Sequence, residues 1–97
     1  MLTSLNNARV KQAAELVKKS KVRKKEDVFV VEGIKMFQEV PIEKVKECFV
    51  TESFFEKCEC KEKICQCNYE LVSEDVFKKI SDTQTPQGIL CVVQQYH

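Results

Sequence analysis

Apolar residues near the N-terminus recur with the period of an α-helix. Four of them stand at positions i, i+3, i+4 and i+7: Val10, Ala13, Ala14 and Val17. This spacing predicts an amphipathic helix with one buried face, and Asn7 stands where its N-cap belongs. The run KKSKVRKKED that follows has no apolar face, so we expect the helix to fade there.

Past residue 27 the pattern changes to short alternating segments. Apolar runs rich in β-branched residues predict four buried strands. These runs lie at residues 28–33, 47–52, 69–72 and 88–94. Amphipathic runs predict short helices at residues 34–40, from residue 53 onward and at 73–81. Strands that alternate with helices imply crossover connections and a central sheet with parallel pairs. We therefore expect a compact α/β/α sandwich with an extra basic helix at its N-terminus.

Polar residues mark the starts of the later helices and a turn before the last strand. Ser53 and Glu56 have the spacing of a capping box. Ser73 precedes two acidic residues, as is typical of an N-cap. In TPQG, Pro86 suits position i+1 of a type I turn and Gly88 suits position i+3.

The composition fits one small domain, residues 1–97. With 43% apolar residues, the chain has enough material for a single core. No apolar run approaches the roughly 20 residues of a membrane span. The N-terminus lacks the apolar region of a signal peptide. We therefore expect a cytoplasmic protein with no membrane partner.

The overall charge of +1 hides a division along the chain. Residues 1–25, the basic arm, hold eight of the sixteen basic residues and a single acid, a net charge of +7. Residues 26–97, the α/β body, have a net charge of −6. Such asymmetry is typical of a polyanion-binding arm on a more neutral body, and nucleic acid is the polyanion that we favour. A solvated, lysine-rich helix is the alternative.

Four of the six cysteines lie in the segment CECKEKICQC, which we expect to be a loop: Cys58, Cys60, Cys65 and Cys67. Four thiolates suit zinc, but structural zinc sites usually separate paired ligands by two to four residues. A native disulfide is a second alternative. Free thiols are the interpretation that we favour, because cytoplasmic cysteines are kept reduced. The other two cysteines lie in predicted strands and are expected in the core.

Four stretches span nearly the whole chain: TSLNNARVKQAAEL, VFVVEGIKMFQEV, CFVTESFFEK and VSEDVFKKISDTQTPQGILCVV. In this order they resemble the N-terminal substrate-binding domain of the SpoU-type (TrmH-like) RNA ribose 2′-O-methyltransferases. The resemblance implies a fold like that of small ribosomal proteins that bind kinked RNA. Two positions depart from the family pattern. Ala8 stands where many relatives have proline, and Pro86 stands where some branches have histidine.

The resemblance also has implications for function. It implies a domain that recognises structured RNA, either rRNA or tRNA, for a catalytic domain that binds S-adenosylmethionine. Nothing in these residues matches that catalytic domain, so we expect it after residue 97 and expect this chain alone to be inactive. The implied partners are RNA and the catalytic domain, and homodimerisation of the full-length protein is left open. The alternative is a stand-alone, non-enzymatic RNA-binding protein associated with the ribosome.

Charge and resemblance together indicate candidate RNA-binding residues. Long cationic side chains suit phosphate contacts, and Asn7 suits a ribose hydroxyl or base edge as well as the N-cap. The Glu32–Gly33 junction faces RNA if the resemblance holds, although Gly33 also suits a close turn. Gln87 offers both a donor and an acceptor. The full set is Asn7, Arg9, Lys11, Lys18, Lys21, Arg23, Lys24, Lys25, Glu32, Gly33, Lys35 and Gln87. We assign no catalytic, cofactor-binding or metal-binding residue, and the terminal His97 has no neighbours that suggest catalysis.

Overall fold

The computed structural model describes residues 1–81 and 83–95. Within them the helices are α1 (Ala8–Lys18), α2 (Ser20–Glu26), α3 (Ile34–Glu39), α4 (Glu52–Lys57), α5 (Lys61–Gln66) and α6 (Glu74–Ile80). The strands are β1 (Val28–Glu32), β2 (Val45–Thr51), β3 (Tyr69–Val72) and β4 (Ile89–Gln94), and a short 3₁₀ turn covers Ile42–Lys44. His97, to which the sequence assigns no role, lies outside the described residues.

The strands form one mixed sheet in the order β1-β4-β2-β3. The pair β2–β3 is parallel, whereas β4 runs antiparallel to both β1 and β2. The prediction of a parallel pair is therefore confirmed for β2 and β3. The same topology brings the ends of β1, β2 and β3 together with the start of β4. We name this side of the sheet, at residues 33, 51, 73 and 88, the loop edge.

Both faces of the sheet are covered by helices, which confirms the predicted α/β/α sandwich. On one face, Phe37 of α3 and Ile64 of α5 are fully buried in a cluster that includes the inward side chains of β2 and β4. On the other face, Val10 of α1 and Phe77 of α6 pack in a cluster with Phe49 of β2. Successive side chains of a strand point to opposite faces, so the apolar runs in the sequence supply both cores.

Two helices form where the sequence predicted none. α2 lies in the lysine-rich run that was expected to lose helical structure. Its Val22 packs against a small cluster of Leu16, Val28 and Val92, which periodicity alone does not reveal. α5 lies in the segment expected to be a cysteine loop, and its Ile64 is fully buried. Both expectations of irregular structure are wrong, because the partly buried Val22 anchors α2 and the buried Ile64 anchors α5.

The four strands, α3 and α6 begin and end within two residues of their predicted positions, and α4 begins one residue before its predicted start. One helix cap differs from the prediction. The Oγ1 atom of Thr51, not Ser53, caps α4 by accepting a hydrogen bond from the N–H of Phe54 at 3.2 Å. Ser73 caps α6 as predicted, with its Oγ accepting from the N–H of Val76 at 3.2 Å.

Candidate nucleic-acid interface

Asn7 fixes the start of α1. Its Oδ1 atom accepts a hydrogen bond from the backbone N–H of Arg9 at 2.8 Å, so the N-cap prediction is confirmed. Within the part of the chain that the structure describes, the side-chain nitrogen of Asn7 has no hydrogen-bond partner. That nitrogen remains a donor for a ribose or base atom, and the RNA contact stays a prediction.

Arg9 has partners inside the protein. Its Nη1 lies 2.7 Å from Oε1 of Glu70, and its Nε and Nη2 donate to Oε1 of Glu47 at 3.2 and 2.9 Å. The guanidinium also lies 5.7 Å from the ring centroid of Phe49. This side chain therefore links α1 to β2 and β3. A cation in the first turn of α1 works against the helix dipole, and the two carboxylates explain its presence without a phosphate. Arg9 thus has a structural role, and its contact with RNA stays a prediction.

Arg23 also has a structural role. Its Nη1 donates to the backbone carbonyls of Leu16 and Val17, both at 2.8 Å. The last carbonyls of a helix have no partner within the helix, so Arg23 of α2 caps the C-terminal end of α1. The side chain is only partly buried. Its guanidinium nevertheless holds α2 against the end of α1. Its contact with RNA stays a prediction.

The remaining cations of the arm lie exposed on the surface. Those of α2 and its surroundings are Lys19, Lys21, Lys24 and Lys25. Those of α1 are Lys11 and Lys18, and together with Lys19 they line a shallow depression that also includes Lys79 of α6. Glu15 lies in the same depression and pairs with Lys19 at 3.7 Å. We name the four lysines around this depression, residues 11, 18, 19 and 79, the lysine groove.

Lys79 was not among the residues selected from the sequence. It lies in the α/β body, and because the net charge of that body is negative, the charge distribution along the sequence did not single out Lys79. Its place in the groove follows from the packing of α1 against α6, where Val10 and Phe77 share one apolar cluster. The signal that was available is the exposed, positively charged face of the predicted last helix, which has Lys78 and Lys79 side by side.

A second group of candidates meets at the loop edge. The Glu32 carboxylate accepts hydrogen bonds from the hydroxyl of Ser81 at 2.8 and 3.0 Å and from the backbone N–H of Gln87 at 3.1 Å. It also accepts one from the hydroxyl of Thr83 at 3.4 Å. Glu32 therefore holds the loop between α6 and β4. These hydrogen bonds explain why Glu32, although negatively charged, lies among the residues predicted to bind RNA.

Gly33 and Gln87 lie side by side at this edge. Gly33 has a φ of 98°, and a Cβ built on it would lie 2.8 Å from Oε1 of Gln87. Its N–H donates to the carbonyl of Ile89 at 3.0 Å. The structural role of Gly33 as a close turn is thus confirmed, and its contact with RNA stays a prediction. Lys35 follows two residues later, in α3, with an exposed side chain.

A depression connects the two groups of candidates. It is lined by Val17 and Arg23 on the side of the arm and by Glu32 and Thr83 on the side of the loop edge, with Phe29 and Val30 between them. This depression joins the α1–α2 junction to the loop edge.

The cysteine segment differs from the favoured prediction. Cys58 and Cys60 form a disulfide, so the expectation that all thiols here are free is wrong for these two. Cys65 and Cys67 are free. Within residues 1–81 and 83–95, no group of three or more Cys, His, Asp or Glu side chains is placed to hold a metal ion.

The inward-facing thiols resist ionisation. Burial raises the pKa of Cys67 to about 11. A hydrogen bond with Cys48, together with burial, raises the pKa of the Cys91 thiol further above its ordinary value. Cys48 and Cys91 are completely buried and pair across β2 and β4, as the core prediction requires.

Sequence comparison identifies the family of this chain. The chain belongs to the MRM3-like substrate-binding domain family, whose model matches residues 7–91. The family identified from the sequence is thereby confirmed. No curated protein sequence matches the chain.

Solved structures share the fold over nearly the whole chain. An rRNA methyltransferase from Sinorhizobium meliloti superposes with a TM-score of 0.77 at 24% identity, covering 99% of this chain and 37% of that one. An RNA 2′-O ribose methyltransferase gives 0.75 at 26% identity, with 96% and 36% covered. The SpoU methyltransferase AviRb from Streptomyces viridochromogenes, solved with the cofactor AdoMet, gives 0.71 at 16% identity, with 95% and 37% covered.

The chain thus spans little more than a third of the length of these structures. No helix in residues 1–81 and 83–95 combines the length and the apolar character needed to cross a membrane.

Proposed function

We propose that the chain binds RNA as the substrate-binding part of an S-adenosylmethionine-dependent rRNA ribose 2′-O-methyltransferase. Membership of a family of substrate-binding domains supports a binding role. The names of the similar structures, an rRNA methyltransferase and an RNA 2′-O ribose methyltransferase, support RNA as the ligand and rRNA before tRNA. We keep the cytoplasm as the proposed compartment, where thiols such as those of the four free cysteines stay reduced, although the Cys58–Cys60 disulfide does not support it.

We assign catalysis to a domain that follows residue 97. The chain has two glycines, and both are packed against side chains: Gly33 against Gln87 and Gly88 against Phe54. Neither glycine therefore stands in an open turn of the kind that lets a cofactor approach the backbone closely. Calorimetric titration of this chain with S-adenosylmethionine should therefore give no specific heat, and saturable binding would contradict the assignment.

The lysine groove is the observation that carries the RNA-binding proposal. Lys11, Lys18 and Lys79 are exposed and have no ion-pair partner within residues 1–81 and 83–95. Cations that stand close together repel one another, whereas a polyanion relieves this repulsion and releases its own counterions. Phosphate contacts of this kind position RNA but do not read its sequence.

Binding of an rRNA fragment across a salt series tests the proposal. Each lost phosphate contact flattens the slope of log K against log salt by about 0.7 on single-stranded RNA. The double variant Lys11→Glu/Lys79→Glu should therefore weaken binding at every salt concentration and flatten the slope by roughly 1.4. The control Lys46→Glu/Lys61→Glu makes the same change of net charge at exposed positions outside the groove. Equal effects of the two variants would mean that the net charge of the chain, and not the lysine groove, determines RNA binding.

A further inference from the structure

A third depression, distinct from the two described above, opens at the loop edge between α4 and α6. It has a volume of about 300 Å³ and is closed on one side by residues 86–88 of the loop before β4. Two phenylalanines line it: Phe54, which is partly buried, and Phe77, which is 1% exposed. We name it the aromatic pocket.

The position of Phe54 is set by the backbone of Gly88. A Cβ built on Gly88 would lie 2.8 Å from Cβ of Phe54 and 3.1 Å from its ring carbon Cδ2. The carbonyl of Gly88 also accepts a hydrogen bond from the N–H of Thr51 at 2.9 Å, which ties the loop to the end of β2. The ring of Phe54 therefore lies in close contact with the backbone of Gly88.

Polar groups stand around the aromatic lining. The hydroxyl of Ser53 donates to Oε1 of Glu74 at 3.0 Å, which fixes one side. Gln87 and Lys57 also line the pocket. In the part of the chain that the structure describes, neither the side-chain amide of Gln87 nor the ammonium of Lys57 has a hydrogen-bond or ion-pair partner. The amide offers a donor and an acceptor together, and the ammonium offers a charge for an anion.

We propose that the aromatic pocket binds one unpaired nucleobase of the RNA, stacked on Phe54 and hydrogen-bonded by Gln87, with Lys57 on the adjoining phosphate. The proposal rests on the proposed RNA-binding function and names the part of the RNA that is recognised. A volume of about 300 Å³ is at the lower end for ligand pockets, which suits a single base and excludes a duplex. Proteins read RNA sequence mainly on unstacked bases that lie against aromatic side chains.

The pocket and the lysine groove share α6. Glu74 lines the pocket and Lys79 lines the groove, and five residues of helix separate them by about 7.5 Å along its axis. In this proposal one RNA strand contacts both surfaces, with its phosphates along the groove and one base in the pocket. The groove then supplies affinity without sequence information, and the pocket supplies selectivity for an unpaired nucleotide.

Amide chemical shifts of the ¹⁵N-labelled chain test the pocket without any mutation. Uridine and adenosine 5′-monophosphates are titrated beside ribose 5-phosphate, which carries the sugar and the phosphate but no base. We expect the nucleotides to shift the amides of Phe54, Gln87 and Gly88 and the sugar phosphate to leave them in place. Identical shifts from all three compounds, or no shift at these amides, would overturn the proposal.

A pair of hairpin RNAs, identical except for one unpaired nucleotide, measures the selectivity. Wild type should prefer the hairpin with the unpaired nucleotide by roughly 5- to 150-fold, the equivalent of about 1–3 kcal/mol for stacking one base. Phe54→Leu and Gln87→Ala should reduce this preference. The matched controls Phe55→Leu and Gln84→Ala change the same residue types next to the pocket and should preserve it.

The outcomes distinguish a failure of the aromatic pocket from a failure of the proposed RNA-binding function. Equal binding of both hairpins, with affinity still dependent on Lys11 and Lys79, overturns the pocket and leaves the proposed function standing. Failure of wild type to bind either hairpin or any rRNA fragment contradicts the proposed function itself. Loss of preference in the control variants as well as in Phe54→Leu and Gln87→Ala also overturns the pocket, because the effect would then be one of general folding.

Discussion

Oε2 of Glu32 accepts a hydrogen bond from the backbone N–H of Gln87 at 3.1 Å, across 55 positions of the sequence. The same carboxylate binds the hydroxyl of Ser81, which is 5% exposed. One acid at the end of β1 thus fixes both ends of the loop that carries TPQG. The backbone that borders the aromatic pocket depends on a residue outside that pocket.

Replacing Glu32 should loosen this loop. Glu32→Ala leaves the buried Ser81 hydroxyl and the Gln87 N–H without their acceptor, so we expect a loss of about 1–3 kcal/mol in the free energy of unfolding. Urea denaturation measures that loss, and hydrogen exchange should show faster exchange at the Gln87 amide. Glu39→Ala, which removes an exposed acid of α3, is the control. Unchanged exchange at Gln87 would mean that other contacts hold the loop.

Periodicity predicted the elements that bury a continuous apolar stripe. The four strands, α1 and α6 each carry several inward side chains, so their pattern is visible in the sequence. α2 and α5 are different, because each depends on contacts that the local sequence does not contain. α5 is anchored by Ile64, and its Lys63 ammonium donates to the carbonyls of Phe37 and Val40 at 2.7 and 2.8 Å. Those acceptors lie 26 and 23 residues away.

The candidate RNA-binding surface was predictable only in part, because some of its features are local in the sequence and others depend on distant residues. The charge of the arm is a local property, and its lysines lie exposed on the surface, whereas their contact with RNA stays a prediction. The partners of Arg9 were not predictable, because Glu47 and Glu70 stand 38 and 61 residues away. Nothing in the arm itself distinguishes a cation that is committed to the protein, such as Arg9, from one that is free, such as Lys11.

This distinction can be tested with two matched substitutions. Arg9→Met leaves the carboxylates of Glu47 and Glu70 without their shared cation, so it should lower the free energy of unfolding. We expect a loss near the lower end of the roughly 1.5–3 kcal/mol for hydrogen bonds to charged groups, because the pair is partly exposed and screened. Lys11→Met makes the same charge change on the exposed face of α1 and should have little effect on stability.

RNA binding should rank the two variants in the opposite order. Lys11→Met removes a phosphate contact and should flatten the salt slope by about 0.7, whereas Arg9→Met should not flatten it. Urea titrations and RNA binding on the same preparations give both readouts. A larger effect of Arg9→Met on the slope would show that Arg9 contacts RNA as well as the two carboxylates.

The two glycines should respond differently to alanine. Both have positive φ, 98° at Gly33 and 93° at Gly88, so each substitution carries a backbone cost of about 1–3 kcal/mol. At Gly33 the new Cβ meets the end of the flexible Gln87 side chain, which can move aside. At Gly88 it meets Cβ of Phe54, which is tied to α4. Gly88→Ala should therefore lower the thermal midpoint further than Gly33→Ala, and equal shifts would contradict this account of the pocket wall.

The free cysteines provide a prediction about pH. Burial raises the pKa of Cys67 to about 11 from an ordinary value of 9.0. The thiolate is the reactive form, so at pH 8 about one Cys67 in a thousand is ionised in the folded chain. Its alkylation by iodoacetamide should be slow and should accelerate about tenfold per pH unit until the pH approaches 11.

The same shift makes the folded state less stable at alkaline pH. In the unfolded chain Cys67 loses its proton near the ordinary value, whereas in the folded chain it keeps the proton up to about pH 11. Between these values the folded state binds more protons than the unfolded state, so stability falls as pH rises.

Cys67→Ser removes this contribution, and its free energy of unfolding should fall less than that of wild type between pH 9 and 11. Cys65→Ser, at an exposed position of α5, is the control and should follow wild type. Parallel pH profiles for all three proteins, together with equally fast alkylation of Cys67 and Cys65 in peptide maps, would show that Cys67 is open to solvent.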